Sequence, residues 1–162
     1  MTASNDPDPA AASQVDPSAG PVASLTVRIP TSLEYVRPIR KMLEGLLGSD
    51  GWGEDDVADV GLVATEVIQN AVEHGSRNDG GEEVEVTCEL EGGAIVIEVT
   101  DPGTGKGPDS LIQRDVTVPP PIDSSRGRGL YLVHRMSREM ERGRSAGGGS
   151  LVRVRFQGTS PS

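Results

Sequence analysis

The stretch Val63-Ala64-Thr65-Glu66-Val67-Ile68-Gln69-Asn70-Ala71-Val72-Glu73-His74-Gly75 decides how the rest of the chain is read. At about 100° per residue, the angular step of an α-helix, Val57, Val60, Val63, Ala64, Val67, Ile68 and Ala71 fall on one broad apolar arc. Glu66, Asn70 and His74, spaced i, i+4, i+8, form one row beside that arc. A carboxylate and an amide at the margin of a buried face are placed to meet something polar in a cleft. Gly75 stands where a glycine C-cap would end the helix. An ordinary core helix with a solvated polar edge has the same pattern, so this stretch alone leaves both readings open.

Outward from this helix, the flanking segments are legible one by one. The helix is expected from about Glu54 to His74, with Glu54, Asp55 and Asp56 near its positive end. Before it, Ser24–Ile29 alternates apolar and polar as a half-buried strand does, and Pro30 ends it. Thr31 or Ser32 is a candidate cap for a helix reaching about Leu47, in which Pro38 predicts a kink or a late start. After it, Glu82–Leu90 and Ala94–Thr100 read as strands joined by a hairpin turn at Glu91-Gly92-Gly93. Residues 106–126 carry little periodicity and include Pro108, Pro119, Pro120 and Pro121, the mark of a functional loop or lid. Gly127-Arg128-Gly129-Leu130 reads as a glycine turn opening a helix. Met140–Arg142 is a short strand and Ser150–Phe156 a final one. Strands clustered late, with helices on one side, predict an α+β two-layer sandwich with a mixed, mostly antiparallel sheet.

Composition narrows the class. Residues 1–22, rich in Pro, Ala and Ser, lack the apolar content to offset ordering entropy and are expected to be disordered, leaving one domain over residues 23–158. The net charge of −10 argues against a general nucleic-acid binder. Eight arginines stand against Glu139 and Glu141 between Arg126 and Arg155. That imbalance fits either a solvated face or a local anion site. Cys88 is the single cysteine, so no intrachain disulfide forms, which fits a reducing cytosol. No apolar run approaches the roughly 20 residues of a bilayer span, and the N-terminus lacks a signal-peptide core. A cytoplasmic protein is the expectation.

Three segments carry chemistry: the Glu66/Asn70 row, the strand-end Asp101-Pro102-Gly103-Thr104-Gly105, and Arg126-Gly127-Arg128-Gly129-Leu130 at a helix start. Glycines let backbone approach a ligand closely, and a helix N-terminus offers unpaired N–H groups to phosphate. A dinucleotide fingerprint fails, because Gly127-Arg128-Gly129 follows a proline-rich loop and Leu132 holds the third glycine position. No G-x-x-x-x-G-K-[ST] motif is present.

In this order, the three segments resemble the N box and the two glycine boxes of the GHKL (Bergerat-fold) ATPase superfamily, which includes histidine kinases and gyrase. Thr65–Gly75 and the short length most resemble the anti-sigma-factor serine/threonine kinases, over roughly residues 24–157. The resemblance implies a Bergerat ATP-binding fold and the cofactors ATP and Mg²⁺. It implies Asn70 as the Mg²⁺ ligand, Glu66 as general base and Asp101 as acceptor of the adenine amino group. It makes Gly103 and Gly105 the space beside the purine. Arg126, Gly127, Arg128, Gly129 and Leu130 become the phosphate-facing turn, and residues 106–126 the ATP lid. Ser150 keeps a hydroxyl where many relatives have Thr near the adenine, and His74 matches a common family position. Pro38, and a lid without a Thr-Thr-Lys run, depart from the family pattern. The implied activity is ATP-dependent phosphorylation of an anti-sigma-antagonist (STAS) protein, coupled to sequestration of a sigma factor, with no direct nucleic-acid or membrane contact; a homodimer is compatible. A nucleotide-gated binding module without kinase activity and the catalytic half of a split histidine kinase are the alternatives.

Overall fold

The computed structural model describes residues 23–105, 112, 115–122 and 128–159. The expected tail at residues 1–22 lies outside the described residues, as do Arg114, Arg126 and Gly127. Five strands form one sheet: β1 (Ala23–Pro30), β2 (Glu83–Glu91), β3 (Ala94–Thr100), β4 (Glu139–Arg144) and β5 (Ser150–Gln157). Their order is β1-β2-β3-β5-β4, and every neighbouring pair is antiparallel. Helices α1 (Val36–Ser49), α2 (Glu54–Gly75) and α3 (Arg128–Met136) complete the expected α+β two-layer sandwich.

Alternation fixes which face of the sheet is covered. Val84, Val86, Cys88 and Leu90 of β2 point inward, beside Ile95, Ile97 and Val99 of β3 and Val152, Val154 and Phe156 of β5. They meet Val60, Val63, Ala64, Val67, Ile68 and Val72 of α2, with Leu43 and Leu47 of α1 behind. Each such side chain contributes about 1.5–3 kcal/mol of burial, and aromatics are barely needed. The opposite face is polar: Arg153 lies 3.7 Å from Glu98, Arg155 3.9 Å from Glu91, and Arg28 2.8 Å from Glu85. Two arginines of the basic C-terminal third thus belong to a solvated face, where such pairs contribute about 0–1 kcal/mol.

Three local expectations resolve in detail. The first helix does start late: a 3-10 turn at Leu33–Tyr35 precedes α1, so Pro38 falls in the first turn, where its missing N–H would have had no partner. Ser32 makes no side-chain cap bond, and the Thr31 hydroxyl is buried without a partner among the described residues, so neither caps as expected. The Gly92-Gly93 turn has both φ values positive, 54° and 79°, which suits a two-residue hairpin.

Gly75 corrects its expected role. It is the last residue of α2 and is absent from the left-handed glycines. The chain leaves through Ser76 in an extended conformation, φ −133°. The Ser76 hydroxyl donates to the Val72 carbonyl at 2.6 Å, satisfying one terminal acceptor. Glycine is required at position 75 by a contact, not by a turn.

Candidate nucleotide site

That contact is with Asp101, at the end of β3. A Cβ on Gly75 would lie 2.1 Å from both Cγ and Oδ2 of Asp101. The Asp101 side chain is only 4% exposed, and three donors fix it. Oδ1 accepts from the Ser150 amide at 3.0 Å and the Gly103 amide at 2.9 Å, and Oδ2 accepts from the Ser150 hydroxyl. The Asp101 amide in turn donates to the Ser150 carbonyl at 3.1 Å. A buried carboxylate held this rigidly keeps lone pairs for one further donor in a fixed direction, as recognition of an amino group requires.

Glycines close around it. Gly103 has φ +75° and a Cβ there would meet Gly149 at 2.8 Å, so it is required by conformation and by contact. A Cβ on Gly105 would stand 2.0 Å from the His74 carbonyl oxygen, and one on Gly149 1.8 Å from the Asp101 carbonyl oxygen. Gly103 and Gly105 both donate their amides to the Gly75 carbonyl, at 3.0 and 3.3 Å. His74 therefore contributes its backbone to this wall, while its side chain is exposed.

One and two helical turns earlier on α2, Asn70 and Glu66 line the same side. The Asn70 Nδ2 is buried and has no partner among the described residues. Leaving such a group unpaired costs about 1–3 kcal/mol, so this amide is available to a partner that the chain itself does not supply. The two ends of the amide exchange by a half-turn, so this side chain presents either a donor or an oxygen. An oxygen there fits Mg²⁺, which takes oxygen ligands and keeps several waters.

Glu66 is half-buried, and burial, followed by the charge of Glu73, raises its pKa above the ordinary carboxylate range. Its Oε2 lies 2.1 Å from where a Gly129 Cβ would be, so the carboxylate sits directly against the first turn of α3. That turn is the expected phosphate-facing element. Arg128 is exposed, and its Nη2 donates to the Ile122 carbonyl. Leu130 is buried against Val116, with Met140 alongside. Leu130 can therefore offer a ligand only its backbone. Asp115 accepts from the Thr117 hydroxyl and amide at 2.7 and 2.9 Å, which fixes the segment carrying Val116. Among the described residues of the expected lid, Val116 and Ile122 are thus tied to α3.

The structure brings Glu66, Asn70, Asp101, Gly103, Gly105, Gly129 and Ser150 to one side of the sheet's helical face. Arg126 and Gly127 lie outside the described residues. Sequence reasoning missed Gly149, Gly75 as a site residue, and the Glu82–Thr104 bond of 2.6 Å. The run Gly147-Gly148-Gly149 directly before Ser150 was the available signal for the first.

Comparisons with known proteins bear on the fold and the family. A serine-protein kinase RsbW of Bacillus thuringiensis strain Al Hakam is 26% identical over 121 residues, covering 72% of this chain and 75% of the relative. A serine-protein kinase RsbW of Bacillus anthracis strain A0248 matches to the same extent. Among solved structures, the SiaB-SiaC complex from Pseudomonas aeruginosa superposes with a TM-score of 0.65 at 16% identity, over 82% of this chain and 88% of that one. The RsbU and RsbW domains of Rv1364c from Mycobacterium tuberculosis give 0.63 at 20% identity, over 86% of this chain and 34% of that one. Those two likenesses establish the shared fold. The family model described as a histidine kinase-like ATPase domain, which implies ATP binding, matches residues 29–156. A match over most of the chain, on the fold and around the buried carboxylate just described, means that this protein belongs to the histidine kinase-like ATPase domain family.

Proposed function

We propose that this protein is an ATP-dependent serine/threonine protein kinase of the anti-sigma type, acting in the bacterial cytoplasm. It phosphorylates a Ser or Thr of an anti-sigma-antagonist (STAS) protein and sequesters a sigma factor, with a homodimer as the candidate assembly. The observation that carries this reading is the position of Glu66, a half-buried carboxylate lying against the first turn of α3. Phosphates at that turn would put the reacting group beside a base whose affinity for a proton is raised by burial. The naming of the Bacillus relatives as serine-protein kinases supports the same reading.

Each residue then has a role. Asp101, fixed by Ser150 and Gly103, accepts from the adenine amino group. Gly75, Gly105 and Gly149 leave the space in which Asp101 and its loops pack. Asn70 holds Mg²⁺, which when bound offsets phosphate charge. Gly129, with Arg126, Gly127 and Arg128, faces the phosphates. Glu66 takes the proton from the substrate hydroxyl.

Incubation with labelled ATP and a candidate STAS protein tests this. Transfer of label to the STAS protein is expected from wild type. Glu66→Gln should keep nucleotide binding and lose about 10²–10⁴-fold in transfer rate, the usual contribution of a general base. Asn70→Ala should lose magnesium-dependent binding while remaining folded. ATP binding without transfer to any STAS protein encoded beside it would make the chain a nucleotide-gated binding module instead.

A further inference from the structure

The loop Gly103–Gly105 forms one wall of the nucleotide site, yet two of its three residues have no side chain with which to hold it. Its one side chain, Thr104, donates its hydroxyl to Glu82 Oε2 at 2.6 Å. The same carboxylate accepts from the Arg77 amide at 3.2 Å and from Arg77 Nη2 at 3.0 Å. Arg77 lies just past the end of α2, on the other flank of Gly105. Glu82 itself is anchored: its carbonyl accepts from the Thr31 amide at 2.9 Å, and the next residue, Glu83, is paired with Pro30 in the sheet. Its side chain is 11% exposed.

We propose that Glu82 is a positioning residue for nucleotide binding, tying the loop Gly103–Gly105 and the exit of α2 to the rigid start of β2. The proposal rests on the nucleotide reading above and extends it to a residue outside the set assigned there to the nucleotide. Three donors converge on one carboxylate, an arrangement that a single acceptor oxygen cannot reproduce. The Thr104 hydroxyl, ahead of the Arg77 amide and guanidinium, holds Glu82 below the usual carboxylate range although burial acts the other way. The tie is therefore intact at neutral pH.

Two measurements on the full chain test this: the dissociation constant for Mg-ATP, and amide hydrogen exchange at Gly103 and Gly105 in nucleotide-free protein. Thr104→Val and Glu82→Gln should each weaken binding by about five- to tenfold, the net worth of one typical hydrogen bond, and should speed exchange at both glycines. The double variant should be no weaker than the worse single variant, because both remove the same bond. Thr104→Ser, which keeps the hydroxyl, should restore wild-type affinity and exchange. Thr104 is exposed, so its variants should melt close to wild type. Unchanged affinity and unchanged exchange in Thr104→Val would overturn the proposal, as would additive losses in the double variant. Wild-type protein that binds no adenine nucleotide would overturn the nucleotide reading itself. In that case the exchange rates still decide whether Glu82 fixes the loop.

Discussion

Replacing Gly75 by alanine tests whether contact or conformation demands a glycine there. On helix propensity alone, glycine to alanine in a helix stabilises by up to about 1 kcal/mol. Against that, the new Cβ would sit 2.1 Å from Asp101 Cγ and 2.5 Å from its Cβ, far inside van der Waals contact. Asp101 cannot swing aside, since Ser150 and Gly103 hold both of its oxygens. The end of α2 must then move, stretching the bonds from Gly103 and Gly105 to the Gly75 carbonyl. Overpacking costs about 1–3 kcal/mol and each weakened hydrogen bond about 1 kcal/mol. Set against the propensity gain, the net loss is about 2–4 kcal/mol, or a fall in melting temperature of about 5–15 °C. Affinity for adenine nucleotides should fall by at least about tenfold, since each 1.4 kcal/mol is a factor of ten and the disturbed groups line the proposed site. Gly45→Ala is the control, being an exposed helical glycine whose added Cβ meets nothing within 4 Å. It should stabilise by about 0.5–1 kcal/mol and leave binding unchanged. Thermal melts and calorimetric titration of both variants decide the matter. A Gly75→Ala protein that melts above wild type and binds ATP normally would refute the reasoning.

Other outcomes follow from the same structure. Because burial and Glu73 raise the Glu66 carboxyl, the native state binds that proton more tightly than the unfolded chain, so ionised Glu66 lowers stability at neutral pH. Glu66→Gln should therefore melt above wild type at neutral pH, and the difference should shrink as pH falls through the raised native value and be gone below the ordinary value of 4.5; an equal difference at neutral pH and below 4.5 would count against it. Burial pushes the Cys88 thiol up to about 12, so a thiol reagent at mildly alkaline pH should label native protein far more slowly than unfolded protein. Val116→Ala removes two methyl groups packed on Leu130, a loss of about 1–2 kcal/mol. It should speed tryptic cleavage at the neighbouring Arg114, with Mg-ATP slowing cleavage of wild type more than ADP does.

What the sequence discloses here depends on how far apart the interacting residues lie. The 3.6 period placed α2 within a residue of its observed ends, and alternation identified β1 and β2, because burial on one face imposes those patterns locally. Expected and observed limits differ most where several weak local preferences compete. Pro38 is tolerated as a first-turn residue, and β4 extends to Arg144 because Gly143 and Arg144 pair with Leu151 and Ser150. Asp101 was legible as the residue ending β3, but its fixation by Ser150 joins residues 49 positions apart. The Glu82–Thr104 bond spans 22 positions and leaves no periodic trace.

Glycine illustrates the difference most clearly. Gly92 and Gly93 are demanded by the hairpin turn, a local requirement that a dipeptide reveals. Gly75, Gly105, Gly129 and Gly149 are demanded by what lies opposite: Asp101, the His74 carbonyl, Glu66 and the Asp101 carbonyl. Only the first kind can be read from neighbours in sequence. The second kind lines the proposed site, because a carboxylate that must be buried and still face a ligand needs backbone packed on it from several segments at once. The glycines that look most like loosely specified loop are thus the least replaceable positions around Asp101. The exception is Gly129, where the opposing atom is the end of the Glu66 side chain, which can move. Substitution there should displace the base and leave the fold intact.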